Sequence, residues 1–308
     1  MNIPKAIKQI GKLLKETFNE FIDDNGIKLS ASLSYYTIFS LPPLLLIIIS
    51  LCGIFFGDVA VNGEIFKQIN GLVGNDAAKQ IQEIIKNVRL SNSNILATTI
   101  GAIILIIGAS GVFAEIQDSI NYIWGIKAKP KREIKKYIKN RIMSFSMIGS
   151  LGFLLLVGLM VNSVMEVLNK KLVTYFHSDI FYLFYVINIV SMFVTITILF
   201  TLIFKTLPDG KVVLKDCIIG ASFTAFLFMI GKFAIGAYLS STSIATTYGA
   251  AGSIILILLW VYYSAIILYF GAVFTKVNAA NHGHKIIPND YSVMIIEQKI
   301  EVEGISKG

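Results

Sequence analysis

The sequence has few charged residues for its length, and this scarcity excludes an ordinary soluble protein. Charged residues make up 15% of the 308 residues, hydrophobic residues make up 55%, and the mean hydropathy is +0.71. In soluble domains about a quarter of the residues are charged. The composition therefore predicts an integral membrane protein of the all-α class.

Cysteine and histidine are also scarce, with two and three residues respectively. Cys52 and Cys217 lie in or beside separate apolar runs, which favours packing roles and excludes a disulfide framework. His282 and His284 form a His-Gly-His pattern without an acidic residue nearby before Asp290, which is a weak metal signal. We therefore expect no catalytic residues, no metal site and no cofactor, and we expect that the protein is not an enzyme.

Long hydrophobic runs dominate the sequence. A membrane-spanning helix needs about 20 predominantly apolar residues, and six stretches meet this requirement. They cover residues 33–57, 95–114, 142–166, 180–204, 217–239 and 251–275. The sequence thus predicts a polytopic protein with six transmembrane helices in a domain over residues 29–277. We expect no cleavable signal peptide, because the first run begins near Leu29 and is too long for a signal's hydrophobic region.

Lysine and arginine are distributed unevenly between the segments that connect these runs. With a cytoplasmic N-terminus, 20 of the 27 fall on cytoplasmic segments and six on outside segments, and Lys232 is the remaining one. The positive-inside rule then places both termini in the cytoplasm. The net charge of +8 is thus a signal of topology, and we expect no nucleic-acid partner.

Three segments outside the runs have patterns of their own. Residues 1–28 carry an apolar stripe with lysines on other faces, which is typical of an amphipathic helix on the cytoplasmic membrane surface. Residues 58–94 predict a short extracytoplasmic pair of helices joined at Gly74 and Asn75. Residues 278–308 are polar and irregular, so we expect a flexible cytoplasmic tail.

The cytoplasmic loop 115–141 is strongly basic from residue 127 onwards. Its charges either only set the orientation of the protein or also bind anionic lipid. The candidate lipid-binding residues are Lys131, Arg132, Lys135 and Lys136.

Lys232 lies deep in the fifth apolar run, where a charge costs at least roughly 2.5 to 3.5 kcal/mol. It shares a helical stripe with Ala221, Ala225 and Gly236, and small residues mark packed helix faces in membranes. Two interpretations are open. Lys232 either has a structural role, by extending to the interface or pairing with Glu166, or it binds an anionic ligand.

Two further groups of polar or aromatic residues accompany Lys232. In the sixth run, Trp260 and Ser264 lie on a stripe with small residues, which predicts that this run either packs against the fifth run or lines a common space with it. Near the inner side, the first run contains Tyr35 and Tyr36 before a Pro42-Pro43 pair that predicts a kink. Glu115 and Asp118 share a face after the second run. This inner group is either a kink with an interfacial belt or one gate of a translocation path.

Four blocks of the sequence resemble the YihY/BrkB family of bacterial inner-membrane proteins. They are residues 31–45, "IQDSINYIWGI" at 116–126, "LPDGKV" at 207–212 and the long block at 248–277. The resemblance implies a six-helix protein of the bacterial inner membrane with both termini in the cytoplasm and a generally unassigned activity. Gly271, Ala272 and Val273 depart from the Gly-Ala-Glu often found in this family, which puts any mechanism that needs that carboxylate in doubt.

Two functions from different classes remain open. The first is a transporter or lipid-handling protein for a small or anionic substrate. The second is a non-transporting scaffold or assembly factor for envelope processes. A ribonuclease, a label that family members have carried, lacks a metal-binding or acid-base site in this sequence. The expected partners are membrane lipids, anionic at the cytoplasmic face, and an unidentified substrate, while homo-oligomerisation is left open. The hypothetical substrate-binding residues are Lys232, Tyr35, Tyr36, Glu115, Asp118, Trp260 and Ser264.

Overall fold

The computed structural model describes six long helices and four short strands. The described residues are 3–56, 63, 66, 78–79, 82, 95–128, 142, 146, 179–241 and 250–295. The helices are α1 (Ile3–Asp23), α2 (Gly26–Phe56), α3 (Ile95–Ile123), α4 (Asp179–Thr206), α5 (Leu214–Ser241) and α6 (Ala250–Asn281). The strands are β1 (Ile126–Ala128), β2 (Gly210–Lys211), β3 (Ile287–Pro288) and β4 (Ser292–Met294).

Helices α2 to α6 coincide with five of the six predicted apolar runs. Within the described residues, three stretches are long and apolar enough to cross a membrane: Ile189–Thr206, Leu214–Lys232 and Ile257–Asn281. Apart from isolated positions, the predicted run 142–166 and the helical pair predicted over 58–94 lie outside the described residues. Six membrane crossings therefore remain a prediction, and a mostly helical fold is confirmed.

Helix α6 lies at the centre of the helical arrangement. It packs against α1, α2 and α5, while α3 packs against α2 and α4 packs against α5. The side chains of Tyr269, Ala272 and Val273 on α6 are fully buried. A helix that is apolar on all sides is suited to such a central position.

The predicted packing of the fifth and sixth runs is confirmed, and it rests on a reciprocal contact. Gly220 of α5 faces Thr275 of α6, and Gly271 of α6 faces Thr224 of α5, so closely that a Cβ atom on either glycine would overlap the threonine hydroxyl. Each threonine donates its hydroxyl proton to the glycine carbonyl of its own helix, at 2.7 Å. The two backbones therefore approach closely without leaving a hydroxyl unpaired.

Helices α1 and α2 meet at a sharp corner. Asn25 adopts a left-handed conformation with φ of 54°, which ends α1. The Phe21 ring lies directly over Gly26, where a side chain would overlap it. Helix α2 then continues through Pro42 and Pro43 without an interruption. The predicted kink therefore does not end the helix.

The tail after α6 differs from the flexible segment expected from residue 278 onwards. α6 runs to Asn281 and is followed by Gly283 with φ of 75°. β3 then pairs with β2, and β4 pairs with β1 in an antiparallel register from Ile126 opposite Met294 to Ala128 opposite Ser292. Residues 278–295 therefore have regular secondary structure where an irregular tail was expected, because the segments that follow α3 and α4 supply backbone partners. The fold remains mostly helical, as predicted, with two small two-stranded sheets added to it.

These strands lie where α3, α4 and α6 end and where α2 and α5 begin, and we call this the sheet end. The loop predicted over 115–141 also begins later than expected, because α3 continues to Ile123.

Candidate functional site

Asp209 lies fully buried at the sheet end, in a network that joins three distant segments. Its Oδ1 accepts hydrogen bonds from Gln117 Nε2 at 3.1 Å and from Tyr291 Oη at 3.2 Å, and its Oδ2 accepts one from Asn121 Nδ2 at 3.0 Å. Its backbone nitrogen donates to Asn121 Oδ1 at 2.8 Å, and its carbonyl oxygen accepts from Asn289 N at 2.9 Å. We call these five residues the clasp.

The local sequence explains how the clasp is assembled. Gln117 and Asn121 are four residues apart on α3, so their amides project from the same face. Asp209 follows Pro208 in the segment between α4 and β2, while Asn289 and Tyr291 lie in the connection between β3 and β4. A buried carboxylate is tolerated only where several donors compensate for its lost hydration. The clasp supplies these donors from both α3 and the tail.

A cavity of about 970 Å³ opens beside the clasp, and we call it the vestibule. This volume is at the upper end of the range for small-molecule sites, roughly 300 to 1,000 Å³. Its walls come from the sheet-end parts of α1, α3 and α6 and from the segments around β1, β3 and β4. Its aspartates, lysines, histidine and tryptophan are Asp23, Asp24, Asp118, Lys127, Lys276, Lys285, His284 and Trp124.

Ion pairs of Lys276 and a hydrogen bond of His284 hold two walls of the vestibule in place. Lys276 Nζ lies 2.8 Å from Glu20 Oε2 and 3.5 Å from Asp24 Oδ2, which joins α6 to α1. Burial raises the pKa of the Asp24 carboxyl above its ordinary value, and the neighbouring Lys276 ammonium opposes this rise. On the tail side, His284 Nδ1 lies 2.7 Å from an oxygen of the buried Asp216 carboxylate at the start of α5.

The structure brings only one member of the predicted inner group into the vestibule. Asp118 lines it, while Glu115 is half-buried one turn earlier on α3. Tyr35 and Tyr36 are 62% and 45% exposed, and the Tyr35 ring packs against Tyr36 and Phe39. Neither tyrosine lines the vestibule. The residues of the predicted inner group therefore do not form one site, because Asp118 lines the vestibule while Tyr35 and Tyr36 are exposed on α2.

The predicted residues of α5 and α6 form another region, far from the vestibule. Lys232 lies about 27 Å along α5 from Leu214, at 1.5 Å per residue. Its Nζ is 3.6 Å from Met192 Sδ of α4. One turn before it, Phe228 packs against the buried Trp260 at 5.7 Å between ring centroids, and Ser264 donates to the Trp260 carbonyl at 2.8 Å.

Several proposed partners fall outside the described residues. These are Glu166, the suggested ion-pair partner of Lys232, and the four basic residues Lys131, Arg132, Lys135 and Lys136. Within the part of the chain that the structure describes, no group of three or more histidine, cysteine, aspartate or glutamate residues is placed to hold a metal ion.

The sequence interpretation missed Asp209, Gln117, Asn289 and Tyr291. A usable signal was present in α3, where two amides one turn apart lie among apolar residues, because buried amides need partners. Asp209 lies in the block "LPDGKV", but this block did not indicate that the residue is buried, since an Asp-Gly pair in a turn is ordinarily exposed.

Comparisons with known proteins place these features in a family context. The profile of the family described as "Virulence factor BrkB" matches residues 17–289, which is most of the chain. A "UPF0761 membrane protein" of Saccharophagus degradans is 25% identical over 275 residues, covering 89% of this chain and 61% of the relative. A protein of the same description from Psychrobacter is 29% identical over 265 residues, covering 84% of this chain and 46% of the relative.

The chain thus spans about half to two thirds of the length of these two relatives. A third relative, a "UPF0761 membrane protein" of Vibrio campbellii, is 25% identical over 280 residues, which cover 88% of this chain and 82% of that protein. No solved structure matches.

Proposed function

Because the chain belongs to the BrkB family of membrane proteins, we propose that it is a transporter or lipid-handling protein of the bacterial inner membrane for a small or anionic substrate. The proposal includes six membrane crossings with both termini in the cytoplasm, as the distribution of lysine and arginine predicts. It includes no enzyme activity. The relatives' names state only that they are membrane proteins.

The vestibule is the observation that carries this proposal. It combines three lysines with three carboxylates and one histidine at the sheet end. The membrane-spanning stretches of the helices that begin or end there are apolar. Lys276 is engaged with Glu20 and Asp24, whereas Lys127 and Lys285 are exposed. These two ammonium groups can attract the phosphate or carboxylate of a substrate, while the carboxylates restrict where a negative charge can lie.

Lys232 supplies a second positive charge along the same bundle. Its ammonium contacts the Met192 thioether, which is a weak acceptor and leaves most of the charge uncompensated by that contact. Charged residues at such depth are often part of a substrate pathway in membrane proteins. In our proposal the vestibule binds the anionic group of the substrate first, and Lys232 binds it later, at a position further along the bundle.

Anionic lipids are the proposed partners at the cytoplasmic face. The basic residues Lys131, Arg132, Lys135 and Lys136 follow β1 closely in sequence. Each basic residue near an anionic surface contributes about 1 kcal/mol. Lipid head groups would thereby be concentrated beside the vestibule.

Reconstitution tests this function. Purified protein in vesicles is assayed for translocation of fluorescent phosphatidylglycerol and, separately, for uptake of inorganic phosphate. We expect protein-dependent movement of at least one of these probes, and we expect Lys285→Gln and Lys232→Met each to slow it severalfold. Lys28→Gln removes an exposed lysine outside the vestibule and serves as the control. Movement at the rate of protein-free vesicles for both probes would contradict the proposal.

A non-transporting scaffold is the second candidate, and the exposed apolar side chains of the tail favour it. Ile287 is 59% exposed, Met294 is 44% exposed and Ile295 is 39% exposed. Apolar side chains on a sheet edge are suited to protein contacts. If folded protein moves neither probe but associates through the tail, and Ile287→Ser with Met294→Ser abolishes that association, the scaffold is the better description.

A further inference from the structure

Helix α1 divides its apolar residues between two faces. On the inner face, Leu13, Thr17 and Phe21 pack towards the bundle, and the Phe21 ring lies 5.5 Å from that of Phe270 on α6. The outer face carries a row at intervals of four residues. Its members are Ile10, Leu14, Phe18 and Ile22, which are 57%, 37%, 58% and 49% exposed.

The charges of α1 are divided in a related way. Glu20 pairs with Lys276, and Glu16 accepts a hydrogen bond from Asn281 Nδ2 at 3.2 Å, so these acidic residues face α6. Lys8 and Lys15 are exposed. At 100° per residue they lie beside the outer row, on the side away from the inner face. The outer face is therefore an apolar row bordered by positive charge.

The height of α1 along the bundle is set by α6. Lys276 and Asn281 lie in the last two turns of the stretch Ile257–Asn281, which is long and apolar enough to cross a membrane. The end of such a helix lies at the level of the lipid head groups. The contacts of Glu16 and Glu20 with these residues hold this part of α1 at the same level.

We propose that α1 lies in the surface of an anionic lipid leaflet, with the outer row among the acyl chains and with Lys8 and Lys15 at the phosphate groups. Charge complementarity selects this occupant, because an apolar row beside two lysines matches acyl chains beneath phosphates. The apolar stripe predicted from the sequence consisted of Ile7, Ile10, Leu14, Phe18 and Phe21, and the outer row differs from it because Phe21 belongs to the inner face and Ile22 to the outer row. The proposal is independent of whether the protein moves a substrate.

Spin-label accessibility tests where the outer row lies. The full chain, with Cys52→Ala and Cys217→Ala as background, carries a nitroxide at Phe18→Cys or at the neighbouring exposed position Asn19→Cys in nanodiscs that contain phosphatidylglycerol. We expect the label at position 18 to be accessible to oxygen and protected from a water-soluble nickel chelate, and the label at position 19 to show the reverse. Equal access of the nickel chelate to both labels would overturn the proposal. So would strong dipolar coupling between position-18 labels, which would indicate a second copy on this face.

Hydrogen exchange of the protein with its native cysteines tests the role of the lysines independently. We expect residues 8–22 to exchange more slowly in phosphatidylglycerol nanodiscs than in phosphatidylcholine nanodiscs. Lys8→Gln and Lys15→Gln should each reduce this difference by about fivefold, the factor that corresponds to one basic residue at an anionic surface. Lys28→Gln and Lys211→Gln, which alter exposed lysines outside α1, should leave it unchanged. Exchange that does not depend on the lipid charge would overturn the proposal.

Discussion

The clasp and the α5–α6 interface hold the bundle together by opposite means. The clasp buries the Asp209 carboxylate among donors that are 82 to 92 residues away in sequence. The α5–α6 interface uses two glycines and two threonines, and each threonine satisfies its hydroxyl within its own helix. At the clasp, hydrogen-bond donors and acceptors determine which segments come together. At the α5–α6 interface, the fit of each glycine against a threonine determines how the two helices are aligned. A polar network is therefore used at the water-facing end and close backbone packing within the apolar part.

Asp209→Ala should have the largest effect on this comparison. The change leaves the side-chain donors of Gln117, Asn121 and Tyr291 without their carboxylate, and each buried donor that is left unsatisfied typically costs about 1 to 3 kcal/mol. We expect a large drop in the midpoint of thermal unfolding of the purified protein, followed by tryptophan fluorescence. Asp23→Ala, at an exposed acidic residue, is the control. If both variants unfolded at the wild-type temperature, the clasp would not stabilise the fold.

Gly271→Ala should have the second largest effect, because it tests shape without any change of charge. The added methyl group overlaps the side chain of Thr224, and overpacking typically costs about 1 to 3 kcal/mol. Adding Thr224→Ala removes the hydroxyl from that overlap, so we expect the double variant to recover part of the loss. Additive losses in denaturation experiments on the two single variants and the double variant would show that the contact is not specific.

Trp124→Phe should have a smaller effect, and it tests the connection between the two regions. Trp124 Nε1 donates to the Ala272 carbonyl of α6 at 3.0 Å. Phenylalanine keeps most of the apolar contact and removes the donor, which costs about 0.5 to 1.5 kcal/mol. We expect a modest decrease in unfolding temperature, measured by circular dichroism. Trp124→Ala should cost clearly more, and equal losses for the two variants would contradict the role assigned to the packing of the ring.

The smallest predicted effect is a dependence on pH that arises at Asp24. Burial raises the pKa of this carboxyl in the folded state, so the folded protein holds the proton more tightly than the unfolded chain. The resulting stabilisation is present at acidic pH and is lost as the pH rises through the folded-state pKa. We expect wild type to gain stability relative to Asp24→Asn on acidification through this range. A constant difference in unfolding temperature would show that the raised pKa has no effect on stability.

The sequence could predict the helices of the apolar part better than the contacts at the sheet end. About 20 apolar residues are enough to specify each of the helices α2 to α6. The small residues of α5 and α6 correctly predicted that these helices pack together. The packed glycine and threonine lie next to Ala221 and Ala225 of the predicted stripe, and these alanines are also fully buried. The helical periodicity of the small residues in α5 therefore predicted the contacting positions to within one residue.

The clasp and the strands could not be predicted in this way. Strands of two or three residues have almost no local pattern, and β3 and β4 depend on partners supplied by the segments after α4 and α3. Of the predicted inner group, Asp118 lines the vestibule, whereas Tyr35 and Tyr36 are exposed on α2. Spacing along one helix shows which residues share a face, and it contains no information about what lies opposite that face.

The pairing between the tail and the α4–β2 turn also imposes an order of events on biosynthesis. Tyr291 is translated 82 residues after Asp209, a delay of roughly 4 to 16 seconds at ordinary elongation rates. During this interval Gln117 and Asn121 have already been made, but one of the donors to the carboxylate does not yet exist. A ribosome that stalls before residue 289 therefore leaves a nascent chain whose helices are complete and whose water-facing end is still open. Until Asn289 and Tyr291 have been made, the Asp209 turn has its donors from α3 but lacks those from the tail.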